Sequence, residues 1–512
     1  MNEIDPTLKF SASKVRAYDD GEELVVSKTA LSDLAERIAR EYVHDTVSPA
    51  MVSGLLRLGE FLAVALLGVG IMFAYVWTGP DILLPYLAAA LFGAVLYVIF
   101  AEILDAFTIR AIRSTMQTLP RVGFALLGVF SVLALTAFFM KMSEDYSRVW
   151  FGSWFLGSLG LLATIRAIMN LQVRKWARNG TIERRAVIVG GGEAAEKLVR
   201  ALERQPDNDI RICGVFDDRN DERSPPIVAG YPKLGNIEQL VEFTRRARIG
   251  MLIVSLPLNA EDRVLRMLKK LWVLPVDIRL SAHAHRLRFR PRTYSYVGSV
   301  PMFDIFDRPI RDWDSVAKRI FDVFFSLFFI VLLSPVMLLT AIAVKISSKG
   351  PILFVQKRHG FNNEIINVYK FRSMYVDQQD QTAKDAVTRN DPRVTPVGRF
   401  IRKTSIDELP QFFNALRGDL SLVGPRPHAM YAQTRNKLYG EVVDGYFARH
   451  RVKPGITGWA QINGWRGEID VDEKIKKRTE FDLYYIENWS LLFDLKILFL
   501  TPLRLLNTEN AY

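Results

Sequence analysis

The chain has 512 residues, is 49% apolar yet 24% charged, and so calls for long hydrophobic blocks alternating with soluble domains. Its formal charge of +12 suits anionic lipid, nucleic acid or phosphorylated substrates. One cysteine, Cys213, excludes a disulfide framework, and six scattered histidines offer no zinc site, His283 and His285 reading as a surface pair.

Residues 1–52 are polar, which predicts a cytoplasmic segment without a cleavable signal peptide. An amphipathic helix is predicted near Ala30–Val43, with Leu31, Leu34, Ile38 and Tyr42 on one side; a solvated tail is the alternative. Four hydrophobic blocks follow, Leu55–Trp77, Ile82–Ile103, Val122–Met140 and Val149–Leu171. Each is near the roughly 20 residues that span a bilayer. Thr78–Asp81 holds no Lys or Arg, and Lys141–Arg148 carries acids as well. Arg110, Arg113 and Arg121 lie in the second loop, and Arg174, Lys175, Arg178, Arg184 and Arg185 follow the fourth block. That bias turns both ends of a four-helix unit, residues 53–172, to the cytoplasm. Glu60 and Glu102 lie toward block ends, so the unit reads as an anchor and not a transporter.

Arg185–Ala195 is a buried strand, a glycine turn and a helix start, matching G-x-G-x-x-A through Gly190, Gly192 and Ala195. A second strand, Ile210–Phe216, ends in Asp217-Asp218, where a ribose-binding acid would stand. Met251–Ser255 and Ala260–Leu271 continue the alternation, giving a Rossmann-like domain over 181–300. Gly190, Gly192 and Asp217 either hold a dinucleotide or persist in an empty scaffold. A dinucleotide-dependent sugar-modifying enzyme would need a Tyr-x-x-x-Lys pair, which Tyr231 and Tyr294 do not supply.

Beyond a connector at 286–313, Val323–Val344 contains 22 uncharged residues, flanked by Lys318 and Arg319 before and Lys345 and Lys349 after. Both ends thus carry the cytoplasmic signature, and Ser334-Pro335 sits at the midpoint. These features predict a re-entrant helix over about residues 320–346 that bends at Ser334 and Pro335, the Ser334 hydroxyl being a candidate partner for a freed carbonyl. Simple spanning is the alternative. Farther on, Gln356–Gly360 and Lys370–Met374 are basic, Lys453–Gln461 opens on a tight turn, and Leu491–Leu506 is an amphipathic helix suited to a membrane interface.

The densest chemistry lies in Gly398–Arg417 and Gly424–Pro427. Asp407 and Glu408 are set among Arg399, Arg402, Lys403, Arg417 and Arg426, ahead of Leu409, Phe412, Phe413 and Leu416 at helical spacing. A capping box from Ser405 to Glu408 explains the acids without function, but it would place Pro410 where a backbone N–H is needed. A helix start near Asp407 removes that conflict. The functional alternative is phosphoryl transfer: a carboxylate nucleophile, a second carboxylate near a divalent ion, and arginines on phosphate oxygens.

Taken in order, Lys318-Arg-x-x-Asp322, Ser334-Pro335, Gln356-x-Arg358-x-Gly360, Lys370–Met374, Asp407-Glu408-Leu-Pro-Gln411, Gly424–Pro427 and Lys453–Gly458 resemble the bacterial sugar transferase family of polyprenyl-phosphate hexose-1-phosphate transferases. Four spans plus a Rossmann-like domain resemble its long form, and Tyr369–Tyr375 with Gly464–Glu468 resemble its glucose phosphotransferases of exopolysaccharide pathways. The resemblance implies a membrane α plus α/β architecture with a monotopic catalytic domain over 311–512. It implies transfer of hexose-1-phosphate, glucose or else galactose, from a UDP-sugar to undecaprenyl phosphate through an aspartyl intermediate, with release of UMP. By match Asp407 is the nucleophile and Asp407 and Glu408 lie at Mg²⁺. Lys370, Arg402 and Arg426 would bind phosphate; Arg358 and Arg372 would do so or form structural pairs. A bacterial inner-membrane location with the site on the cytoplasmic face, a homodimer and other polysaccharide-assembly enzymes as partners are further expectations, and nucleic acid is not expected as a partner. A non-catalytic membrane scaffold is the competing reading.

Overall fold

The computed structural model describes residues 10, 12–18, 29–43, 48–108, 111–112, 114–142, 144–178, 184–204, 210–219, 224–256, 261–281, 295–297, 300–376, 391–428, 433–434, 437–443, 445–465 and 471–505. Arg110, Arg113, His283, His285, Tyr294 and the Arg466–Glu468 end of the glycine-tryptophan stretch lie outside these residues. The chain forms two compact units, Asp45–Arg184 and Met1–His44 with Arg185–Tyr512.

The first unit contains α1 (Pro49–Ile71), α2 (Leu83–Ile103), α3 (Thr115–Phe139) and α4 (Arg148–Arg178). Each lies in a segment long and apolar enough to cross a membrane. Small residues let the helices close on Trp154: a Cβ on Gly93 would lie 2.5 Å from its ring. The indoles of Trp150 and Trp154 donate to the carbonyls of Gly68 and Val64 at 2.8 and 2.9 Å. The fourth block is less plain than its hydropathy suggests, because it contains Arg166. Arg166 and Glu60 are fully buried, Arg166 Nη2 donating to Glu60 Oε2 at 2.8 Å and Tyr97 to the same oxygen at 2.7 Å. A charge hidden against its counter-charge leaves the outer face apolar.

In the second unit an eight-stranded mixed sheet is built from β1 (Arg184–Val189), β2 (Ile210–Phe216), β3 (Ile227–Val228), β4 (Tyr231–Gly235), β5 (Met251–Val254), β6 (Asp277–Ser281), β7 (Ser295–Val297) and β8 (Val300–Phe306). Its order is β3-β4-β2-β1-β5-β6-β8-β7, with β1, β5 and β6 parallel. The fully buried runs Ala186–Val189 and Met251–Val254 follow from cover on both faces. Helices α5 (Glu193–Glu203), α6 (Ile237–Arg246) and α7 (Glu261–Leu271) connect the strands. The helix predicted near Ala30–Val43 spans Asp33–Glu41 and is no solvated tail. Ala35 and Ala39 enter the sheet domain's core, and Ser32 both caps the helix and donates to the Leu234 carbonyl at 3.0 Å.

The remaining part of this unit starts with α8 (Asp312–Ser347), 36 residues that continue helical through Pro335. Ser334 Oγ donates to the Val331 carbonyl at 2.8 Å, the acceptor that Pro335 cannot serve. One side of α8 lies on the domain through Phe321, Phe325, Phe329, Met337, Ala341 and Val344. The other side, including Phe324, Leu327, Val331, Leu338 and Ile346, is exposed. Both ends are tied down. Lys318 Nζ reaches Asp494 Oδ2 at 2.6 Å and the Val423 carbonyl at 3.0 Å, while Arg372 donates to the Ser348 and Lys349 carbonyls at 2.6 and 3.0 Å.

Candidate active site

A hairpin, β9 (Leu353–His359) with β10 (Ile365–Phe371), supplies two cations. Its register pairs Lys370 with Phe354 and Ile366 with Arg358, so strand alternation puts Lys370 and Arg358 on one face. The turn uses Asn362 and Asn363 at φ of 51° and 60°, a left-handed conformation asparagine tolerates. The edge of β10 is closed by a side chain that sequence reading passed over. Asn414, fully buried, accepts from Tyr369 N at 2.9 Å and donates to the Asn367 carbonyl at 2.7 Å, as a neighbouring strand would.

Asn414 belongs to α10 (Gln411–Arg417), and α9 (Pro396–Lys403) precedes it. Thr395 caps α9 through Gly398 N at 2.9 Å, and Gly398 lies so near β10 that a Cβ would stand 2.0 Å from the Ser373 carbonyl oxygen. The carboxylates occupy a single 3₁₀ turn, Ile406–Glu408, between the two helices. Ser405 is left-handed at φ 59° and makes no side-chain cap; Pro410 is the N-cap of α10. Neither a capping box nor an α-helix starting at Asp407 therefore forms. The chain turns sharply at Ser405, and Pro410, with no N–H to give, opens the next helix where none is required. Arg319 closes the other end of α10 through the carbonyls of Ala415 and Leu416 at 2.7 and 2.6 Å.

That turn aims its two acids differently. Glu408 takes Lys370 at 2.8 Å and both arms of the Arg426 guanidinium at 2.5 and 3.2 Å. Burial alone would raise its pKa, but Arg426 and Lys370 hold it well below the usual carboxylate range. Asp407 is 8% exposed, and among the described residues no hydrogen bond or ion pair engages its carboxylate. Burial, with the Glu408 charge beside it, pushes Asp407 up to about 6 against the pull of Lys370 and Arg402. Arg358 stands close by, donating to Gln356 Oε1 at 2.7 and 3.0 Å and to the Pro427 carbonyl.

The structure thus gathers Asp407, Glu408, Lys370, Arg426 and Arg358, with Arg402 on α9 adding charge near Asp407. Arg372 is committed elsewhere. It is 2% exposed and grips the end of α8, an arrangement that matches the structural pairing of the two readings. Ser334 and Pro335 lie along exposed helix, and Gly190, Gly192 and Asp217 form their own cluster in the sheet domain. There Gly190 and Gly192 have φ of 94° and 77°. Asp217 accepts from Gly191 N at 2.7 Å and pairs with Arg219 at 2.7 Å, while Arg219 also donates to the Gly191 carbonyl at 2.6 Å. The acid expected on a ribose is held by its own chain.

The residues fit Mg²⁺ in the form it usually takes, bound by one or two carboxylates together with substrate phosphates. Asp407 is open to a cation, whereas Glu408 would first release Lys370 or Arg426. Among the described residues no group of three His, Cys, Asp or Glu forms an all-protein cage.

The family model for bacterial sugar transferases matches residues 313–508, which include the whole carboxylate cluster, and a CoA-binding domain model matches residues 102–282. The UDP-glucose:undecaprenyl-phosphate glucose-1-phosphate transferase of Escherichia coli strain K12 is 36% identical over 452 residues, 86% of this chain and 94% of that protein. The chain belongs to the bacterial sugar transferase family. Relatives of the same name from Xanthomonas campestris pv. campestris and Klebsiella pneumoniae are 36% and 33% identical, over 78% and 93% of this chain and 82% and 100% of theirs. This sugar transferase is an enzyme, and the cations around its acidic pair suit the phosphorylated substrates such a reaction handles.

Proposed function

We propose that this sugar transferase moves glucose-1-phosphate from UDP-glucose to undecaprenyl phosphate, with Asp407 as a covalent nucleophile. The observation that carries the reading is the division of labour in the acidic pair: Glu408 is fully engaged by Lys370 and Arg426, while Asp407 is open. An Asp407 oxygen attacks the sugar-bearing phosphorus, an O–P bond forms, and the bond to the other phosphate breaks so that UMP leaves. The phosphate oxygen of undecaprenyl phosphate then attacks the same phosphorus, restoring the Asp407 carboxylate and yielding the lipid diphosphate sugar. Arg426, Lys370 and Arg358 offset the charge of two anionic phosphates brought together. Mg²⁺, held by Asp407 with Glu408 beside it, would supply further neutralisation of the diphosphate.

The lipid acceptor requires a site at a membrane face. A helix whose ends are both tied to one soluble domain, by Lys318 and by Arg372, favours a re-entrant α8 over a spanning one. We place the catalytic domain on the cytoplasmic side of the bacterial inner membrane, anchored by α1–α4, at the first membrane step of exopolysaccharide assembly. A homodimer working beside other assembly enzymes is the form we expect. Purified protein given Mg²⁺ and labelled UDP-glucose without acceptor should release UMP in an amount matching the enzyme and retain the sugar phosphate on Asp407. UMP formation only when undecaprenyl phosphate is present would remove the covalent step.

A further inference from the structure

Arg426 holds its place through its backbone as well as its guanidinium. Arg449 Nη2 donates to the Arg426 carbonyl at 2.8 Å and to Asp482 Oδ2 at 2.5 Å, and Arg358 donates to the carbonyl of the next residue, Pro427. Arg449 is 1% exposed, and the His428 ring beside it is hydrogen-bonded by Tyr446 at 2.6 Å. A buried guanidinium, Arg449, and a half-buried one, Arg358, therefore fix consecutive carbonyls under the Arg426 fork.

Arg449 sits on a 3₁₀ turn, Tyr446–Arg451, whose other side belongs to the sheet domain. Ala448, fully buried, is part of that domain's core with Leu271, Trp272 and Phe306. Arg451 donates to the Asp307 carbonyl at 2.8 Å. Gly445, at φ 72°, lies against Trp272 so closely that a Cβ would stand 2.1 Å from its indole. One short turn thus touches the Rossmann-like core with one side and the backbone of a phosphate-site arginine with the other.

We propose that Arg449 is a positioning residue for Arg426, and that the Rossmann-like domain sets the phosphate site by gripping the turn that carries it. This rests on Arg426 binding substrate phosphate. It gives that domain a task that needs no bound nucleotide, in keeping with an Asp217 already held by Arg219. Side chains that must keep a productive geometry are themselves held by a surrounding layer, and loosening that layer degrades function without removing any reacting group.

A double-mutant cycle tests it. Arg449→Lys keeps a charge for Asp482 but loses the fork, and Arg451→Met loosens the seam without touching the site. In full-length protein with UDP-glucose and undecaprenyl phosphate, Arg449→Lys should lower kcat/KM about tenfold and Arg451→Met about threefold, within the range for coupled neighbours. In an Arg426→Gln background both losses should shrink below about twofold, because the residue they act through is gone. Each substitution should lower the melting midpoint, since both guanidinium groups are buried and hydrogen-bonded. The drop should be the same in both backgrounds, so that lost stability does not account for a loss of activity that depends on Arg426. Equal losses in both backgrounds, or none in the native one, would overturn the inference while leaving Arg426 as a phosphate ligand. Full activity of Arg426→Gln alone would overturn the site reading and the inference with it. If Arg449→Lys does not fold, Asp482→Asn, nearly isosteric, takes its place in the same cycle.

Discussion

Glu408 and Arg426 meet through both carboxylate oxygens and both guanidinium arms, at 2.5 and 3.2 Å. A bidentate pair of this kind is directional as well as strong. It fixes Glu408 as an anion, and that fixed charge beside a buried Asp407 keeps the second acid protonated to higher pH. The pair therefore engages one acid and leaves the other without a hydrogen bond among the described residues.

The first prediction follows from that asymmetry. Asp407→Asn is close to isosteric and removes no hydrogen bond, so folding and membrane insertion should be unchanged. Transfer should fall by more than about 10³-fold, the scale seen when a covalently acting group is removed. Glu408→Gln should retain a trace of transfer, down about 10²- to 10³-fold, because it misplaces Lys370 and Arg426 without taking away the nucleophile. UMP release assays on the two purified variants separate the roles, and full activity in Asp407→Asn would end the covalent reading.

A second prediction concerns pH. Attack requires the ionised carboxylate, and Asp407 is pushed up to about 6 by burial and by Glu408. Its ionised fraction grows as pH rises through that value, so single-turnover UMP release should climb between pH 5 and pH 7 and then level off. Removing the Glu408 charge takes away one cause of the upward shift, so in Glu408→Gln the rising limb should move to lower pH. A profile flat across this range would show that Asp407 is already ionised at its lower end in the working enzyme, with a bound cation outweighing burial and the Glu408 charge.

Much of the site was legible because its chemistry lies in short contiguous runs. Asp407-Glu408 and Gly424–Pro427 supply the acids and one cation, and strand period two places Lys370 with Arg358. What joins distant parts was not legible. Asn414 acts as a false strand beside β10, Arg449 reaches the Arg426 carbonyl from 23 residues away, and Arg166 meets Glu60 across 106. No local pattern encodes these partners, since a lone Asn or Arg in a helix carries no sign of what it will face. The sheet domain shows the same division. The glycine turn and the strand ending at Asp217 are read from local sequence, whereas the Arg219 that occupies Asp217 is not.

A third prediction separates Arg372 from the cations of the site. Its guanidinium binds Ser348 O at 2.6 Å, Ser348 Oγ at 2.9 Å and Lys349 O at 3.0 Å, all at the end of α8. Arg372→Met should cost about 2–3 kcal/mol of stability, the amount expected for losing charged hydrogen bonds to groups left partly buried. KM for UDP-glucose should stay within about twofold of the native value in the fraction that folds, since no phosphate contact is lost. Thermal unfolding in detergent and steady-state kinetics measure the two separately. A large rise in KM without loss of stability would return Arg372 to the substrate.

The last prediction concerns the path of α8. At about 1.5 Å per residue, 36 helical residues measure about 54 Å, well beyond the roughly 30 Å of a hydrocarbon core. A straight crossing would carry Ser348 to the outer face, yet Arg372 binds Ser348 from the same domain that binds Lys318 at the other end. The proposed path, entering and leaving by one face, keeps both ties and still buries Phe324, Leu327, Val331 and Leu338 in lipid. Pro335, which removes one ladder hydrogen bond and leaves Ser334 to satisfy Val331, is the residue at which that path can bend. A reporter fused after Lys349 should therefore be cytoplasmic, on the same side as one fused before Asp312. A reporter after Lys349 active only outside the cell would show that α8 spans, and would require Arg372 and Lys318 to part company in the membrane.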